Sequence, residues 1–223
     1  MPDPMAVGDV LREDGAVDGE ALRDLWLQRG EALDLAEGGD PEETPEAALR
    51  VWCAATRIPP RYMRAEAGML NPCQEYHRYL AGAERNWREG LGLMMFGPTG
   101  TGKSMAMAHL LKHCWTPEAQ PTALWVSEAD LVEAAKPDGR QDLVQKAKTV
   151  QVLAMDDFGV SRLTDFVVEL FDGIAERRHK NNLCLLMTTN LTPIHIEENP
   201  ILARIWRRWS QDCAKAIMRK GVH

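Results

Sequence analysis

In the stretch Leu91-Gly92-Leu93-Met94-Met95-Phe96-Gly97-Pro98-Thr99-Gly100-Thr101-Gly102-Lys103-Ser104, a short apolar run ends abruptly at Gly97. The eight residues Gly97 to Ser104 fit G-x-x-x-x-G-K-[ST] at every fixed position. Glycines let successive backbone N–H groups turn inward into a cradle for phosphate oxygens. A helix that follows aims its positive end at the same place. In that geometry Lys103 reaches the β- and γ-phosphates and the Ser104 hydroxyl binds Mg²⁺. A chance glycine-rich turn is the plainer alternative. Against it, the apolar run before the loop suits a strand, and Met105 to Trp115 has helix-forming composition with Leu110, Leu111 and Cys114 at helical spacing. The stretch is read as a nucleotide-binding loop, which alone does not distinguish kinases, GTPases and ATPases.

At 223 residues, the length suits one α/β domain with a smaller appendage. The net charge of −7 is unevenly placed. Residues 1–48 hold 14 acidic and 3 basic side chains, a net of −11, and the remainder holds 19 acidic and 23 basic, a net of +4. The global charge therefore says little about nucleic-acid binding. Cys53, Cys73, Cys114, Cys184 and Cys213 are scattered with no C-x-x-C pair, which points to reduced thiols and a cytoplasmic setting. Cys73 and His77 are four apart but have no second ligand pair, so core packing is expected of them rather than a metal site. No apolar run approaches membrane-spanning length, and residues 1–10 lack the features of an export signal, so no membrane association is expected.

Working outward, residues 1–53 are expected to form an acidic helical adaptor and linker, with Glu20 to Leu35 as short helices and Gly38 to Glu46 as a linker; a loosely ordered acidic tail is the competing reading. Gln74 to Arg88 reads as one amphipathic helix with Tyr76, Tyr79, Leu80 and Trp87 on its apolar face. Beyond the phosphate loop, Ala123–Val126, Val150–Met155, Leu183–Met187 and Ala214–Met218 read as strands. Helical stretches at Glu128–Ala135, Gln141–Lys148 and Asp165–His179 lie between them. Strands alternating with helices imply a parallel sheet.

Three further markers fall at element ends. Val152 to Gly159 (VLAMDDFG) is an apolar strand ending in carboxylates beside the phosphate loop. There Asp156 would hold Mg²⁺ and Asp157 would orient or deprotonate the attacking water; a glutamate at the second position would reach further. A solvated Asp pair at a strand end is the alternative. Asn190 follows the next strand, where an amide can hydrogen-bond that water or the γ-phosphate, although alone it would read as a turn residue. Arg204 and Arg208, four apart in Arg204-Ile205-Trp206-Arg207-Arg208-Trp209, share a helix face. An arginine there can neutralise transition-state charge on a neighbour's γ-phosphate, or simply form a solvated basic face.

Together these residues resemble the AAA+ ATPases of the DnaC-type helicase-loader family, with the IstB-type transposition helpers close by. The resemblance spans roughly Ala54 to Met218. It rests on Ile58-Pro59-Pro60-Arg61-Tyr62, GPTGTGKS, MDDFG, the ERRHKNN segment, TTNLT and RIWRRW. It implies an α/β P-loop NTPase core over residues 54–223, with a parallel five-stranded sheet flanked by helices after a small helical N-terminal region. It further implies ATP and Mg²⁺ bound between protomers of a homo-oligomer that assembles on single-stranded DNA and delivers or opens a replicative DNA helicase. By position, Gly97, Pro98, Thr99, Gly100, Thr101, Gly102, Lys103 and Ser104 match the Walker A motif, Asp156 and Asp157 the Walker B motif, and Asn190 sensor 1. Arg208 best matches the finger arginine, with Arg204 second, and Ile58 to Tyr62 resemble the segment near the adenine. Because the sequence stops at His223, no helical lid or sensor-2 arginine is expected, and no zinc-type cysteine cluster marks the N-terminal region.

Lys136, Arg140, Lys146 and Lys148, between the second and third strands, are the basic residues expected to contact single-stranded DNA. An IstB-type transposase helper and a nucleotide-gated helicase adaptor with little hydrolysis are the rival functions. A small-molecule P-loop kinase would need a lid and an acceptor pocket for which this chain has no room.

Overall fold

A computed structural model describes residues 45–66, 73–118, 120–159, 161–162 and 164–219. The expected N-terminal helices at 20–35 and the linker up to residue 44 lie outside the described residues. The chain divides into two compact units. Of the first, the described part is helix α1 (Pro45–Ala55) with residues 115–118 and 120.

The second unit carries the sheet. Strands β1 (Gly92–Phe96), β2 (Ala123–Ser127), β3 (Val152–Phe158), β4 (Cys184–Thr189) and β5 (Cys213–Ile217) lie in the order β2-β3-β4-β1-β5. Every neighbouring pair is parallel. Every residue of β1 and β4 is buried, which is why both read as continuous apolar runs rather than alternating ones. Met94, Phe96, Leu153, Met155, Leu185 and Met187 supply the centre of the core. Around the sheet lie α2 (Pro60–Met63), α3 (Gln74–Leu80), α4 (Ala83–Arg88), α5 (Lys103–His113), α6 (Glu128–Ala134), α7 (Gln141–Thr149), α8 (Asp165–Lys180), α9 (Pro193–Glu198) and α10 (Pro200–Ser210). The parallel five-stranded α/β architecture expected from the sequence is the one observed.

Two local expectations need correction. Gln74–Arg88 is two helices, not one, because the chain turns tightly at Ala81-Gly82: the Gly82 amide bonds the Tyr79 carbonyl at 3.1 Å and the Asn86 side chain caps the same carbonyl at 3.3 Å. Tyr76, Tyr79 and Trp87 are nonetheless buried. The Tyr76 hydroxyl donates to the Ala106 carbonyl at 3.0 Å and that of Tyr79 to the Leu91 carbonyl at 2.6 Å, tying α3 to α5 and to the approach to β1. The third strand runs on through both aspartates to Phe158, because a register shift between Met155 and Phe158 absorbs them without ending the ladder.

Candidate nucleotide-binding site

In an all-parallel sheet the C-terminal ends of the strands share one edge, and the loops after β1, β3 and β4 meet there. The loop after β1 is built for close approach. Gly97 has φ +151°, and a side chain on it would lie 2.3 Å from the Met218 carbonyl oxygen. Gly102 caps α5 in the left-handed conformation, φ +84°, and hands the chain directly to Lys103. The Lys103 ammonium donates to the carbonyls of Gly97 (2.7 Å) and Pro98 (3.0 Å) and to Asn190 Oδ1 (2.8 Å). It thus bridges the two loops that the sequence marked separately. Burial lowers the Lys103 pKa, while Asp157 and Asp156 oppose the shift, so the cation is held against two carboxylates.

The Ser104 hydroxyl donates to Asp156 Oδ1 at 2.8 Å, and the Thr188 hydroxyl donates to the same oxygen at 2.5 Å. Asp156 is 5% exposed. Burial raises its pKa, and the Thr188 and Ser104 bonds partly offset that rise. Asp157 is exposed, with φ +55°, a left-handed conformation uncommon outside glycine but tolerated by Asp. Its amide donates to Thr188 Oγ1 at 2.9 Å. The donor set fits Mg²⁺, which prefers oxygen ligands and is usually held by one or two carboxylates plus substrate phosphates. Ser104 and Asp156 would hold the ion. Among the described residues, no group of three His, Cys, Asp or Glu side chains forms a closed protein cage for a metal.

No family model matches the sequence, nor does any curated protein. Solved structures do match the fold. The crystal structure of DnaI superposes with a TM-score of 0.60 at 21% identity, covering 72% of this chain and 94% of that one. The crystal structure of the DnaC helicase loader gives 0.58 at 21%, covering 72% and 100%. The replication initiator DnaA bound to AMPPCP and single-stranded DNA gives 0.58 at 14%, covering 74% and 51%. These likenesses show the fold alone, an α/β core built on a parallel five-stranded sheet flanked by helices.

Within this core, the remaining marked residues fall at varied places. Ile58 is buried at 2% exposure. Tyr62 packs its ring 5.5 Å from Trp125 of β2, with the Arg61 guanidinium 4.5 Å above it. Lys112 donates to the Met63 carbonyl at 2.7 Å, so this segment lies along α5 and β2. Helix α10 buries Leu202, Ile205, Trp206 and Trp209 and leaves Arg204, Arg207 and Arg208 exposed. Arg204 is paired to Asp172 of α8 through Nε at 3.1 Å and through its terminal nitrogen. Arg208 lines a recess with Asn182, Leu183 and Asp212, at the N-terminal edge of β4 and β5, the sheet edge opposite the loop after β1. Of the four basic residues between β2 and β3, Lys136 pairs with Glu133 and Arg140 with Asp142, while Lys146 and Lys148 are half-buried.

Sequence reasoning missed two residues of the site. Thr188 was hidden behind Asn190 in the same motif. Glu128, at the start of α6, reads as an exposed acid favourable to a helix N-terminus. It is instead 1% exposed and accepts the amides of Gly159 (2.7 Å) and Ser161 (3.1 Å), clamping the turn that follows Asp157.

Proposed function

We propose that this chain is an ATP-dependent replication protein that hydrolyses ATP between protomers and loads a ring helicase onto single-stranded DNA. The observation that carries the reading is the wiring of Lys103 to Asn190 and of Ser104 to Asp156 across three loops of one sheet edge. Binding needs the Walker A amides and Lys103; turnover needs a carboxylate free to face water, and Asp157 is exposed while Asp156 is held. ATP supplies the phosphoryl group and Mg²⁺ the charge neutralisation. Lys103 orients the terminal phosphates, Asn190 positions the water or the γ-phosphate, and Asp157 accepts a proton from that water. Arg208, on the opposite sheet edge from its own Walker A loop, is assigned to a neighbouring copy's γ-phosphate. Arg204 is the second choice because Asp172 already holds it.

The replicative role is supported by likeness to proteins described as a helicase loader and as a replication initiator bound to single-stranded DNA. Loading is tested with a replicative ring helicase and a closed single-stranded DNA circle, which a ring can encircle only by opening. Helicase retained on the circle should depend on this chain and ATP, and should be lost with Lys103→Ala. Retention that is independent of the chain contradicts the proposal, and a preference for duplex DNA without helicase retention transfers it to a transposition helper.

A further inference from the structure

Between the pairs Met155–Met187 and Phe158–Thr189, two residues of β3, Asp156 and Asp157, face a single residue of β4, Thr188. That two-against-one count is a β-bulge, the device that re-aims a side chain at a strand end. Ordinary alternation would send neighbouring carboxylates to opposite faces of the sheet and leave the ladder intact. Here the Asp157 amide donates to a side chain of the facing strand, the Thr188 hydroxyl, at 2.9 Å. The same hydroxyl gives its proton to Asp156 Oδ1. Thr188 is fully buried, so neither bond is shared with solvent. The next residue repeats the device, with Thr189 Oγ1 donating to the Phe158 carbonyl at 2.7 Å and accepting the Leu191 amide at 3.1 Å.

We propose that Thr188 is a positioning residue of the nucleotide site: one hydroxyl bridges the paired aspartates, fixing Asp156 toward Ser104 and holding Asp157 in the left-handed turn that faces it outward. A hydroxyl can accept from an amide and donate to a carboxylate at once. Valine matches the shape and does neither; serine does both. The catalytic consequence, though not the bridge itself, rests on the ATPase reading above.

The test compares the full chain with Thr188→Val and Thr188→Ser. Amide exchange at Asp157, read by NMR in the absence of nucleotide, should be slow in wild type and Thr188→Ser, and about tenfold faster in Thr188→Val. Turnover should fall about 10- to 100-fold in Thr188→Val with the affinity for a fluorescent ATP analogue within about twofold of wild type, and Thr188→Ser should restore it. Equal Asp157 exchange in all three proteins overturns the bridge. Equal turnover in Thr188→Val overturns its catalytic use. If Thr188→Val does not fold, Thr188→Ser decides: faster Asp157 exchange there also overturns the bridge. A wild type that hydrolyses no ATP removes the ATPase reading and the catalytic use together, while the exchange measurement still judges the bridge.

Discussion

Asp156 is a single buried carboxyl group held at the expense of stability. A buried carboxylate is favoured when protonated, and burial accordingly raises its pKa against the opposing bonds from Ser104 and Thr188. With the folded-state pKa above the unfolded one, the ionised group destabilises the fold at neutral pH, and the penalty disappears as pH falls through the folded pKa. Asp156→Asn keeps an oxygen for both hydroxyls and removes the charge. Its melting temperature at pH 7 should exceed that of wild type by about 2–4 °C, the shift worth roughly 1 kcal/mol in a chain of this size. The gain should shrink as the pH is lowered toward the ordinary carboxylate range. A gain that is constant with pH, or a loss at pH 7, contradicts this account of the residue.

At the scale of elements, the edge opposite the site is organised by another buried charge. Arg178, on α8, is 3% exposed, and its pKa is lowered by burial to about 10, so it remains charged at neutral pH. Its guanidinium donates to the carbonyls of Ala147 (2.8 Å), Val150 (3.0 Å), Gln151 (3.3 Å) and Cys184, joining the end of α7 to the starts of β3 and β4. Lysine cannot span those acceptors, because an ammonium is a point donor on a flexible stem. Arg178→Lys should therefore lose about 3 kcal/mol in urea unfolding, since several buried carbonyls are left unpaired. A loss below about 1 kcal/mol would show the carbonyl set to be unimportant. Which parts were legible beforehand follows from the kind of interaction. Gly97 to Ser104, the apolar strands and the alternation with helices depend on local spacing, and they stand in the sequence. The break at Gly82, the buried Glu128, the Thr188 bridge and the Arg204–Asp172 pair depend on partners 7 to 33 positions away or on a bulge, and no local pattern announces them. Arg178 sits in a segment full of cations, where composition predicts a solvated face.

At the scale of the molecule, the residues proposed for one reaction lie at opposite edges of the sheet. Lys103, Asn190 and the aspartates gather at the C-terminal edge, and Arg208 stands at the other. A strand of five or six residues spans about 17–20 Å, beyond the reach of an arginine side chain, so within one copy Arg208, the proposed finger, lies out of reach of the loop after β1. In the proposed assembly they meet between copies, and hydrolysis becomes a property of the oligomer rather than of the single chain. The most direct measurement is the ATPase rate per protomer against protein concentration, with and without single-stranded DNA, for wild type, Lys103→Ala and Arg208→Ala. The account predicts a wild-type rate that climbs with concentration and with DNA, no rate in Lys103→Ala, and in Arg208→Ala retained nucleotide binding with the climb abolished. A specific rate independent of concentration and DNA, and unchanged in Arg208→Ala, would contradict it.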